Sequence, residues 1–161
     1  MRTARFLAVL ALVSGALAYP ASAQVLDALE GRWQGTGQLS LDDEAEQRLQ
    51  CRLRIRGVDA GRSVFSGRCA TAQASRSFVY LLSVEAGVVV EAENRSEPPD
   101  DLPGRMRGTV DRDILRFEEP GEALFELRLT GGGLVFRLEG DGPEGFARGQ
   151  ARLQRIGADA P

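Results

Sequence analysis

The sequence predicts an all-β protein, an antiparallel up-and-down meander of about ten strands closed into a barrel, with a two-sheet sandwich as the alternative. Three observations carry that expectation. From residue 31 onward apolar and polar residues alternate with a period of two, the repeat of a strand with one buried and one wet face. Breaks rich in Gly, Pro and Asp recur about every ten residues. No segment calls for a long helix.

The chain opens outside this rhythm. Arg2 and Arg5 precede an apolar run over 6–18, and Ala21-Ser22-Ala23 offers a small-x-small site for cleavage before Gln24. The pattern predicts a secretory signal peptide over 1–23 and one β-barrel domain over 24–161. The apolar run is shorter than the roughly 20 residues that cross a bilayer, so neither it nor any later stretch is expected to span a membrane. No cysteine lies near the site to carry a lipid, and the tail after Arg155 is short and polar. Cleavage leaves 138 of the 161 residues, enough for one domain with a real core. The removed segment carries two arginines and no acid, so the net charge of −3 falls to −5, which argues against nucleic acid as a partner.

Residues 25–30 suit one helical turn. In the first strand Trp33, Gly35, Gly37, Leu39 and Leu41 share a face opposite Arg32, Gln34, Thr36, Gln38 and Ser40, and 42–46 form a charged turn. The second strand has the cleanest pattern: Leu49, Cys51, Leu53 and Ile55 alternate with Arg48, Gln50, Arg52, Arg54 and Arg56. After a turn at 57–61, Ser63, Phe65, Gly67, Cys69 and Thr71 share a face of the third.

If those strands form a hairpin in which Gly57 faces Ser63 and Leu53 faces Gly67, then Cys51 faces Cys69 on the inner side. An exported protein sits where disulfides persist, so these two cysteines are expected to form a structural bridge. A metal or redox pair needs closer spacing or further ligands. Closing a loop of about 18 residues stabilises by about 3 kcal/mol in the chain-entropy account.

Further strands are expected at 76–83, 88–95, 105–111, 114–118, 123–130, 134–139 and 146–155, separated by turn residues such as Gly131-Gly132-Gly133; residues 96–104 are the one long irregular loop before the C-terminus. Closure would remove exposed edges. Small residues in the first strand, Gly35 and Gly37, and in the last, Ala147, Gly149 and Ala151, suit strong curvature where the two ends meet.

All 20 basic residues are arginine, and lysine and histidine are absent, a composition that a GC-rich genome accounts for. Ser-His-Asp and Cys-His catalysis, histidine-ligated zinc, histidine-held haem and lysine Schiff bases are thereby excluded. Glu91, Glu93, Glu118 and Glu126 have no spacing that pairs them for glycoside chemistry, so a non-catalytic protein with no cofactor is expected.

The segment Leu29-Glu30-Gly31-Arg32-Trp33-Gln34-Gly35-Thr36-Gly37 resembles the opening of the calycins, the superfamily of lipocalins and fatty-acid-binding proteins, where Gly-x-Trp follows a short helical turn. The resemblance implies a calycin-like barrel. It assigns Trp33 to the closed end beneath an arginine from the last strand, Arg152 or Arg155. The Gly-Arg-Trp-x-Gly-x-Gly start with a following cysteine pair also resembles small secreted bacterial proteins of unknown function, which implies a fold and no activity; the signal peptide makes the bacterial periplasm the expected location. Nitrobindin-like calycins hold haem through a histidine, which this sequence lacks.

Two functions follow as expectations. The first is a non-catalytic binding protein with a small apolar or lipid-like ligand inside the barrel, against Leu39, Leu53, Phe65, Phe78, Tyr80, Phe125 and Phe136, with Val90, Leu127 and Leu138 as further lining. The same residues equally suit a filled core. The second is an interaction module that meets an anionic surface or partner protein through the outward arginines Arg48, Arg52, Arg54, Arg56 and Arg68, joined by Arg62.

Overall fold

A computed structural model of the chain describes residues 21–42, 44–85, 88–142 and 145–157. The expected signal peptide up to residue 20 and the tail after residue 157 lie outside the described residues.

A helix, α1 (Ala21–Leu29), precedes ten strands: β1 (Gly31–Leu41), β2 (Gln47–Asp59), β3 (Arg62–Ala70), β4 (Ser75–Glu85), β5 (Val89–Asn94), β6 (Arg105–Asp111), β7 (Ile114–Glu119), β8 (Ala123–Thr130), β9 (Gly133–Gly142) and β10 (Gly145–Ile156). Each strand pairs antiparallel with its neighbours in sequence, and β1 pairs with β10, so the meander closes into a barrel and the sandwich is set aside. Among the described residues closure leaves no unpaired sheet edge. The architecture is compatible with the calycin resemblance.

Helix α1 is longer than the single turn expected over 25–30 and runs across the expected cleavage point. Its alanines favour helix, and Val25, Leu26 and Leu29 form one buried stripe that plugs an end of the barrel. The β2–β3 hairpin has the expected register, with Gly57 opposite Ser63, Leu53 opposite Gly67 and Cys51 opposite Cys69. The two cysteines form a disulfide with Cα atoms 4.2 Å apart, the close spacing of a non-hydrogen-bonded pair. The expected turn at 57–61 differs: β2 continues to Asp59 through a bulge between Gly57 and Asp59. The Glu30 carboxylate lies over Gly57, where a Cβ atom would come within 2.1 Å of it and would have to turn that side chain aside.

Closure depends on glycine too. A Cβ at Gly37 would stand 1.8 Å from the carbonyl oxygen of Gln150 in β10, so the tight curvature of the β1–β10 seam is open only to a residue without a side chain.

Inward positions build one core. Phe65 lies at its centre, with its ring 5.1 Å from Phe78, 5.9 Å from Phe117 and 6.1 Å from Phe136 between centroids. Phe125 stacks against Phe117 and Phe136. Such aromatic pairs add about 0.5–1.5 kcal/mol each beyond their burial. The middle of the barrel is therefore filled by side chains.

Candidate functional site

The alternating strand directions give the barrel two unlike ends. At one end lie α1 and the hairpin tips at 60–61, 112–113 and 131–132; at the other lie the turns at 44–46, 71–74 and 120–122 and the loop over 95–104.

The α1 end is shut. Trp33 is buried and donates its indole N–H to the Leu29 carbonyl at 2.9 Å. Arg155 lies over the indole, with its central carbon 4.5 Å from the ring centroid, so the last strand supplies the arginine through Arg155. Arg152 points outward and is exposed, because the inward set on β10 is Ala147, Gly149, Ala151, Leu153 and Arg155. Arg155 also donates to the Ala28 carbonyl at 2.9 Å and to the Glu30 carbonyl. Helix carbonyls without intrahelical partners are thus satisfied by cationic and indole donors, which the helix dipole also favours. Gly31 carries φ 131°, and a Cβ there would meet the Arg155 guanidinium at 2.6 Å, which is why glycine precedes the Arg-Trp pair.

The opposite end is open. A cavity of about 280 Å³ enters the barrel between β1 to β4 on one side and β8 to β10 on the other. Leu39, Leu49, Phe78, Phe125 and Leu138 form its apolar wall, and Leu102 reaches in from the 95–104 loop. Gly149 leaves space between Leu39, Leu49 and Leu138 that a Cβ would crowd at 2.9 to 3.2 Å. Polar groups stand only at the rim, where Arg76 pairs with Asp101 at 2.8 Å beside Thr71, Ser75 and Asp141.

The 95–104 loop is tied down over this mouth. Asn94 donates to the Asp100 carboxylate at 2.6 Å, the Leu102 amide donates to the same oxygen at 3.1 Å, and Ser96 accepts from the Val79 amide at 3.0 Å. Tyr80, fully buried below, donates its hydroxyl to the Pro103 carbonyl at 3.0 Å. Burial, reinforced by the charge of Asp100, pushes the Tyr80 phenol above its ordinary pKa.

Of the residues expected to meet a ligand, the structure brings Leu39, Phe78, Phe125 and Leu138 to the cavity. Leu53, Phe65, Tyr80 and Phe136, like Val90 and Leu127, are buried in the packed interior and do not line it. No family model matches the chain, and no curated protein sequence is similar to it. The site is therefore read from its own chemistry. Sequence reasoning missed Leu49, Leu102, Arg76 and Ala147. The sole signal for Leu102 was an isolated leucine in an acidic, proline-rich loop, which has reason to be apolar only if it packs.

The four glutamates weighed for catalysis lie on the barrel's outer wall. Glu91 approaches Arg105, Glu93 pairs with Arg95, Glu118 with Arg116, and Glu126 with Arg128. The expected arginine face is outward as well: Arg48, Arg52, Arg54, Arg56, Arg62 and Arg68 are all exposed.

Proposed function

We propose that the protein is a non-catalytic binding protein that holds a small apolar molecule in the mouth of its barrel. The observation that carries this reading is the cavity of about 280 Å³, walled by leucine and phenylalanine and polar only at its rim. Ligand pockets of about 300–1,000 Å³ combine an apolar lining with few orienting polar groups, so this one suits a ligand at the small end. The Arg76–Asp101 pair and the rim hydroxyls orient whatever polar group the ligand carries, while burial of its apolar body supplies affinity. The leader-like N-terminus supports a role outside the cytoplasm, with the periplasm as the compartment.

Titration with an environment-sensitive apolar dye, N-phenyl-1-naphthylamine, tests the reading together with native mass spectrometry of protein recovered from its own exported fraction. Ala147 lines the cavity and is not among the buried core residues, so Ala147→Phe fills the space with little disturbance below. The expected outcome is saturable dye uptake by the wild type, displaced by an extractable apolar molecule and lost in Ala147→Phe. Absence of uptake by the wild type, or equal uptake by both proteins, overturns it.

A further inference from the structure

Charge is segregated around the barrel wall. On the outward side of β10, β1, β2 and β3 the residues are arginine, glutamine, serine, threonine and a few apolar side chains, and the acid among them, Asp59, stands at the β2–β3 hairpin tip, where it pairs with Arg62. The outward residues of β5 to β9 mix both signs, and there arginines pair with glutamates: Arg105 with Glu91, Arg116 with Glu118, Arg128 with Glu126, Arg137 with Glu139. Within the uniform face Arg32 stands directly opposite Arg54, and Arg52 directly opposite Arg68. Among the described residues these four carry no ion pair, and neither do Arg48, Arg56 and Arg152 beside them. Like charges placed directly across strands cost stability, and a single glutamate at Gln34, Gln38 or Gln50 would relieve it. The barrel applies that remedy on one wall and not on the other. A solvated face that merely discourages aggregation does not require that acids be kept from all of it but the hairpin tip.

We propose that this face docks on a membrane surface of anionic phospholipids. Strands about 4.8 Å apart, with outward residues about 6.7 Å apart along each, spread the guanidinium groups in two dimensions, which matches a plane of phosphates better than a single linear chain. Arginine's planar fork binds phosphate oxygens in pairs, and the intervening glutamines offer further hydrogen bonds to headgroups. Aromatic platforms for stacking bases are lacking in the centre of the face, where Phe146 stands only at the edge and lies under Arg148. Apolar side chains occur where a bilayer would need them. Val58, 48% exposed, tips the β2–β3 hairpin beside Arg56, and Ile156, 40% exposed, ends β10 opposite Arg32. Short apolar tips beside clustered basic residues suit shallow insertion among headgroups. The acids nearest the face are Glu30, Glu46, the Asp59 carboxylate paired with Arg62 and the Glu139 carboxylate paired with Arg137, all at its margins.

Vesicle flotation of the exported protein tests the proposal, using phosphatidylcholine vesicles with and without phosphatidylglycerol. Binding to the phosphatidylglycerol vesicles alone is expected at about 0.1 M salt, and release at about 1 M, where the Debye length falls from about 10 Å to about 3 Å. Each basic residue near an anionic leaflet adds to its attraction and each acid subtracts from it, so Arg52→Glu with Arg54→Glu should lower the partition coefficient at least about tenfold. Arg105→Glu, an equal change per residue on the mixed wall, should lower it by less than about twofold. All variants are checked for the Cys51–Cys69 disulfide and for unchanged Trp33 fluorescence; should the double reversal fail that check, Arg52→Gln with Arg54→Gln replaces it, with a smaller loss expected. The proposal is overturned if the wild type does not float with phosphatidylglycerol vesicles, or if the Arg52 and Arg54 changes leave flotation intact. It is also overturned if Arg105→Glu is as damaging, since net charge alone would then govern binding. Salt-sensitive retention on heparin without flotation would assign the face to an acidic glycan instead.

Discussion

The Arg155 guanidinium lies over the Trp33 indole at 4.5 Å, and together the two side chains occupy the carbonyls of Ala28, Leu29 and Glu30 where α1 ends. The contact joins the first strand, the last strand and the plug helix at the shut end of the barrel. Arg155→Ala removes a stacked cation and two hydrogen bonds and leaves helix carbonyls without donors, so it should cost about 2–3 kcal/mol. Trp33 is the sole tryptophan, so urea unfolding followed by its fluorescence reads the loss directly. Arg155→Lys keeps the charge but not the planar fork and should recover less than half of it. Full recovery by lysine would mean that charge at this point, and not stacking, secures the end.

Much of this arrangement is legible in the sequence, for a specific physical reason. One buried face per strand makes a one-residue slip costly, and the alternation in β2 together with two cysteines that must meet leaves one register for the β2–β3 hairpin. The choice between Arg152 and Arg155 needed only the inward parity of β10, which Ala151 and Leu153 set. The cavity was not legible. Phe65, Phe78, Phe125 and Phe136 all fall on inward positions, and periodicity reports burial alike for a ring that fills the centre and one that walls a mouth. The full arginine face was hidden for another reason. Arg32 and Arg152 join Arg52 and Arg54 only because β1 and β10, the two ends of the meander, pair with each other.

The disulfide bears on stability near the mouth. Cys69 lines the cavity and Cys51 lies beneath it, in a hairpin whose two cysteines are 18 residues apart. Cys51→Ala with Cys69→Ala should lower stability by about 3 kcal/mol, chiefly by freeing the unfolded chain, while the barrel and its register persist under native conditions. Reductant should have the same effect on the wild type and none on the double variant. Equal denaturation midpoints for wild type and variant would show that hairpin pairing alone already supplies the constraint.

Tyr80 provides an alkaline probe of the packed interior. Its phenol is held above the ordinary value of about 10 by burial and by the charge of Asp100, so the folded protein keeps a proton that the unfolded chain releases. Where the unfolded state binds fewer protons, stability falls as pH rises. The contribution of neutral Tyr80 is therefore complete below about pH 10 and declines above it, by up to about 1.4 kcal/mol per pH unit. Lysine is absent, both cysteines are in the disulfide, and the other tyrosine, Tyr19, belongs to the segment expected to be removed on export. Urea unfolding of the chain from residue 24 onward, between about pH 8 and about pH 11, should lose stability steeply in its upper range. Tyr80→Phe should cost about 1 kcal/mol at neutral pH through the lost bond to the Pro103 carbonyl, and should flatten the alkaline decline. A decline that persists unchanged in Tyr80→Phe would place its origin elsewhere, most directly in water entering the mouth and breaking the loop's hydrogen bonds to Asp100.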